Sequence, residues 1–164
     1  MTATYIPGAL LIYGAVHWFL NNAATRKAKL EAGNLVFDAT LPLRLFLGLV
    51  TVGFGAGSLY CWFIHPFLAG AIVYSALAVG GIFAIPSVIT VAASGVTESS
   101  WWGRTKTITW SDIGKIVYHQ GPATTVITSK NGKSIAHSGF HRDSELFRAE
   151  CLKHARVRLE TKQF

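Results

Sequence analysis

The sequence predicts a two-part protein: three apolar helices set in a membrane, followed by a small α+β domain of antiparallel strands closed by one C-terminal helix. Three observations carry this expectation. Between Asp38 and Glu98 the only charged side chain is Arg44. That stretch is too poor in charge to clothe a water-soluble domain, and it is long enough for two helical passes of roughly 20 residues each. Residues 1–25 form another run without Asp, Glu, Lys or Arg. From Glu98 onward the chain carries 11 basic and 6 acidic residues among short alternating segments.

Composition agrees. Of the 164 residues 51% are hydrophobic and 14% charged, against about 25% charged in an average soluble protein, and the mean hydropathy is +0.37. The expected parts are residues 1–25 as an N-terminal span, 26–42 as a basic cytoplasmic connection, 43–86 as a transmembrane hairpin and 87–164 as a cytoplasmic domain. The first span covers about 5–22, with Pro7 near its first turn, where a missing N–H costs little. The second covers 43–64 and breaks at His65-Pro66, since proline disfavours helix in its predecessor. The third covers 67–85 and stops at Pro86. Arg26, Lys27, Lys29 and Arg44 lie beside the spans, and the C-terminal half is basic. The positive-inside rule therefore places the N-terminus outside and the C-terminal domain in the cytoplasm. A cleaved signal peptide fits poorly, because the basic cluster follows the first apolar run. Cys61 and Cys151 fall in different halves, so no disulfide or Cys-based metal motif is implied.

Within the second span Gly53 and Gly57 stand four apart, and Ala76, Gly80 and Ala84 repeat that spacing in the third. Small residues on one helix face let backbones approach closely. The sequence allows both uses of such faces, pairing within the hairpin and packing on a neighbouring chain. No span holds an acidic residue, which argues against a carboxylate-based ion path. His17 is the ionisable residue of the first span. It hydrogen-bonds near the interface, or it contacts a pigment or haem presented by another protein. The short run around it resembles the pigment-binding helix of bacterial light-harvesting polypeptides. Tyr5, Tyr13, Trp18, Tyr60, Trp62 and Phe67 read as interfacial or packing aromatics.

The second half alternates with turn signals between segments. Residues 88–92, 96–102, 104–110 and 113–119 read as strands, with a break at Gly121-Pro122. Residues 124–130 and 133–137 form a hairpin through Asn131-Gly132. Residues 142–160 read as a helix capped by Asp143 or Ser144, with Phe147, Cys151, Leu152, Ala155 and Leu159 inward.

Gly95-Val96-Thr97, the run from Trp101 to Ile113, Asn131-Gly132 and the closing helix together resemble the bacterial pleckstrin-homology-like (PH-like) membrane proteins. The likeness covers roughly residues 43–155 and rests on turns and strand corners. It implies a barrel or sandwich plugged by a helix, acting as an interaction module without catalytic residues.

Among functions, enzymes fare badly. There is no Gly-x-Ser-x-Gly elbow and no phosphate-cradling loop, and the histidines lack ligand spacing. Membrane anchoring explains the basic bias more simply than nucleic acid. The expected role is a non-catalytic accessory subunit that packs against other integral membrane subunits, without a small-molecule substrate, metal or resident cofactor. The alternative is a sensor or adaptor binding anionic lipid or a signalling partner through Arg104, Lys106, Trp101 and Trp102, with Lys115, Lys130 and Lys133 as possible neighbours. In that reading one of the adjacent tryptophans points inward.

Overall fold

The computed structural model describes residues 14, 17–18, 21–22, 26–120, 123–155 and 157–162. They fall into two units: Leu41–Pro86, and the residues on either side of it in the chain.

The first unit is a helical hairpin. Helix α1 (Leu41–Leu59) runs on as one π-helical turn, Tyr60–Ile64, and α2 covers Leu68–Ala84. Between them Pro66 cannot donate. The backbone leaves helix at His65 (φ −130°, ψ 85°), while the His65 and Phe67 N–H groups still donate to Tyr60 O (3.0 Å) and Cys61 O (3.1 Å). The helices meet through small and hydroxylated residues. Ser58 and Ser75 share a hydrogen bond of 2.7 Å, and a Cβ on Gly57 would lie 3.5 Å from the Tyr74 ring. Gly81 leaves room for the Thr51 hydroxyl, which donates back to Leu47 O at 2.8 Å. Phe54 and Tyr74 stack across this seam with centroids 6.2 Å apart, while other bulky apolar side chains point away from it, with Leu49 72% and Phe63 80% exposed.

The second unit is two antiparallel-rich sheets around one core. The first sheet has order β1-β2-β3-β4-β5, with β1 Lys29–Glu31, β2 Asn34–Phe37, β3 Val88–Ala92, β4 Gly95–Ser99 and β5 Thr105–Thr109. Ala32 and Gly33 turn β1 into β2, both with positive φ (49° and 81°), as a two-residue hairpin matched to strand twist requires. The second sheet has order β8-β7-β6-β9, with β6 Ile113–His119, β7 Thr124–Ser129, β8 Ser134–His137 and β9 Leu159–Lys162. Only β9 runs parallel to its neighbour, from Ile116↔Leu159 to His119↔Lys162. Helix α3 (Ser144–His154) starts at Asp143, whose carboxylate accepts the Leu146 N–H at 3.2 Å. The two-residue strand period sends Ile89 and Val91 inward, with Val96, Ile108, Ile116, Ile127 and Ile135, and α3 adds Phe147 and Cys151.

The expectation of three transmembrane helices plus a PH-like domain is overturned. Among the described residues one helix, Leu41–Ile64 with 24 residues, is long and apolar enough to cross a membrane, whereas Leu68–Ala84 has 17. The first span lies outside the described residues except at positions 14, 17–18, 21 and 22, which are helical. Among the described residues the β part is two sheets, one of five strands and one of four. Residues 29–37 supply β1 and β2, so the supposed connection is part of a sheet. The terminal helix stops at His154, with Ala155 extended, and β9 follows. Leu152 is accordingly exposed rather than inward. The helix ends short of the expected Glu160 because residues 157–162 alternate with a period of two, the pattern of a strand.

Candidate functional site

The strands place the predicted contact residues at one sheet end. Ser99 pairs with Val88, and Ile89 pairs with Phe37. The β4–β5 turn therefore lies at the end of the sheet from which the chain runs on to Leu41 and to which it returns after Ala84. That turn is residues 100–104, closed by Ser100 N–H donating to Arg104 O (2.8 Å) and Gly103 N–H donating to Ser100 O (3.0 Å). Gly103 takes φ +83°. Strand β4 stops at Ser99, so the alternation expected to bury one tryptophan does not reach either. Trp101 is 54% and Trp102 45% exposed, their rings edge-to-face at 5.6 Å.

Arg104 and Lys106 follow directly and line a cleft of about 370 Å³ with Thr105, Thr107, Lys133 and Ser134. The cleft joins the β5 edge to the start of β8. Lys106 pairs with Glu98 at 3.3 Å, and Glu98 also accepts from Ser87 Oγ at 2.9 Å. Among the described residues neither Arg104 nor Lys133 has a carboxylate within ion-pair distance. Of the basic residues expected nearby, Lys133 joins this cleft. Lys115 instead pairs with Glu160 at 2.7 Å, and the Lys130 ammonium donates to Ser111 O at 2.8 Å.

Lys130 lines a second cleft of about 480 Å³ with Trp110, Ser111, Ile113, His154 and Val157. Here the polar groups hold the fold. The Trp110 indole N–H donates to Ala92 O at 3.0 Å, and its ring stacks on His154 with centroids 4.8 Å apart.

A buried polar seam ties β2 and β3 to the segment before α3, and sequence reasoning missed it. Asp38 pairs with Lys29 (2.9 Å) and Arg142 (2.7 Å), while Arg142 N–H donates to Asp38 O at 3.2 Å. His141 Nε2 lies 2.9 Å from Ser87 O, and His137 Nε2 lies 3.1 Å from Arg142 O. Carbonyls only accept, so both rings carry the proton on Nε2. His141 Nδ1 then accepts from the Ser138 backbone and hydroxyl (3.2 and 3.0 Å). That Ser–His contact closes a turn in which His141 N–H donates to Ser138 O (3.0 Å), and the ring is buried. His137 is buried between Phe37 and Phe147. Burial, and then the nearby His141, lower its pKa to about 3, so it is neutral near pH 7. Burial and Glu150 push the Cys151 thiol up to about 12, which leaves it unreactive. The one trace of the seam in the sequence is that His137 and His141 stand four apart. Among the described residues no group of three or more His, Cys, Asp or Glu is placed to hold one.

The proposed helix-packing residues separate. Gly57 lies in the hairpin seam, whereas Gly53 and Gly80 face open space and Ala76 and Ala84 are exposed. The seam uses Ser58, Gly70, Ala71 and Gly81 instead. His17 is helical and exposed. Compared with known protein families and with curated proteins, the chain matches none.

Proposed function

We propose that this chain is a non-catalytic membrane-anchored accessory protein. The Leu41–Ala84 hairpin is seated in lipid and holds the two-sheet unit at the cytoplasmic face, for assembly with other integral membrane subunits. One observation carries the reading: little of Leu41–Ile64 is packed inside, with 6% of its most apolar stretch buried and Leu45, Leu49, Val52, Leu59 and Phe63 exposed. A core helix of a soluble protein shows the opposite. Exposed apolar side chains in such density require lipid or other apolar helices around them. A two-helix hairpin returns both its ends to one side, and Arg26, Lys27, Lys29 and Arg44 near those ends in the chain favour the cytoplasm. The exposed Ala76, Gly80 and Ala84, unused in the seam, suit close approach of a neighbouring helix.

The test is made on membranes from cells producing the full chain, washed with alkaline carbonate and then solubilised in mild detergent for native electrophoresis. The expected result is retention through the wash, followed by migration with a larger assembly. Release by carbonate overturns the anchor; migration as a free monomer overturns the accessory role.

A further inference from the structure

We propose that the β4–β5 turn and the cleft beside it bind the headgroups of anionic lipid, with Arg104, Lys106 and Lys133 around the phosphate and Trp101 and Trp102 in the interfacial layer. The inference rests on the membrane-anchored reading and adds a ligand to it.

The first argument is position. The strand register puts the turn at the sheet end where the chain passes to and from the hairpin. Those passages are three residues each, 38–40 and 85–87, between Phe37 and Leu41 and between Ala84 and Val88. Three residues span at most about 10 Å. That end of the sheet is thus the one joined to the hairpin by two short tethers.

The second argument is chemistry. Two adjacent tryptophans, each about half exposed, are held out on a tight turn. Indole is enriched in the headgroup layer, where its ring is shielded while its N–H still finds acceptors. Next to them in the chain begins a cleft lined by three cations, Arg104, Lys106 and Lys133, together with Thr105, Thr107 and Ser134. Guanidinium grips phosphate oxygens in a planar fork and ammonium adds a point charge. Glu98, on Lys106, is the carboxylate at this site, and Ser87 draws its other oxygen away. Aromatic and basic groups in one place suit a lipid phosphate at an interface better than a soluble anion, which would leave the tryptophans uncovered.

The full chain is reconstituted in nanodiscs of phosphatidylcholine alone, or mixed with phosphatidylglycerol, using brominated acyl chains as quenchers. The share of tryptophan fluorescence lost in the Trp101→Phe/Trp102→Phe variant isolates the turn. That share is expected to be quenched more strongly in anionic discs. The excess disappears in the Arg104→Ala/Lys106→Ala/Lys133→Ala variant and at high salt. Each alanine weakens recruitment about fivefold. Unchanged thermal unfolding shows that the variants fold. Equal quenching in the two kinds of disc, or an excess that survives the triple substitution, overturns the proposal. Loss of the excess on adding inorganic phosphate at matched ionic strength also overturns it, assigning the cleft to a free anion. Protein that enters the discs but shows no excess sinks this inference alone, whereas protein that never enters them sinks the anchor.

Discussion

At the scale of single residues, His137 carries the clearest measurable consequence. Its Nε2 proton is committed to the Arg142 carbonyl, and its ring is packed on Phe147 at 4.4 Å. A second proton would have to sit on Nδ1, which has no hydrogen-bond partner among the described residues. The folded protein therefore resists protonation down to about pH 3, while the unfolded chain takes the proton near 6.5. Between these values the unfolded state binds more protons, so stability falls as pH drops, by about 1.4 kcal/mol per pH unit from this group. His137→Gln keeps a donor for the carbonyl and does not titrate. Its urea midpoint, followed from pH 7 to pH 4, should fall less steeply than that of the parent chain; parallel slopes would remove His137 from the account. None of this was legible in the sequence, where a histidine after Ile135-Ala136 looks like any strand end. Arg104 and Lys106 were legible because alternate positions on a strand share a face. The exposure of both tryptophans was not, since it depends on β4 ending two residues before them.

Elements show the same dependence on where pairing stops. The β4–β5 hairpin carries two glycines with different duties. A Cβ on Gly95 would run into the Ile108 carbonyl of the paired strand, so β5 could pack there only by shifting. At Gly103 a Cβ meets nothing within 4 Å, and only its φ of +83° constrains the choice. Gly95→Ala should cost roughly 1–3 kcal/mol, as overpacking does. Gly103→Asn should cost well under that, because Asn tolerates left-handed backbone. Urea unfolding of the two variants, monitored by circular dichroism, checks the ranking, and the reverse order would refute the close approach at Gly95. Long or well-punctuated elements were readable. Residues 88–92 and 113–119 are strands as expected, and Asp143 caps α3. Asn131-Gly132 does turn the chain between β7 and β8, but only Gly132 takes positive φ. Strands β1 and β2, with three and four residues, are too short to show a period. Their Ala32-Gly33 turn also lacks the Asn or Asp that usually marks such a hairpin. Strand β9 was lost because its alternation follows a helix without an intervening glycine or proline.

For the whole molecule, the sequence made visible the division between apolar and charged stretches but not the order of nesting. Charge density alone reads the chain as spans first and domain second. Pairing of β2 with β3 instead makes the hairpin an insertion between two neighbouring strands of one sheet. That arrangement can be tested by removal. Phe37 and Ile89 lie opposite each other in the antiparallel pair, so Thr40 and Ser87 can be joined by a few glycine and serine residues without stretching either strand. The core of the two sheets is built from Phe37, the inward positions of both sheets, and Phe147 and Cys151 of α3; no residue of Leu41–Ala84 belongs to it. A chain lacking the hairpin should fold, with a cooperative thermal transition and a β-rich circular dichroism spectrum. Restoring the hairpin should make the protein depend on detergent or lipid to stay dispersed. Should the shortened chain give a non-cooperative melt, or bind a hydrophobic dye as loosely packed states do, the two sheets would not be an independent folding unit. Should the longer chain stay dispersed in plain buffer as a monomer, the exposed apolar face of the hairpin would need a covering other than lipid or a partner.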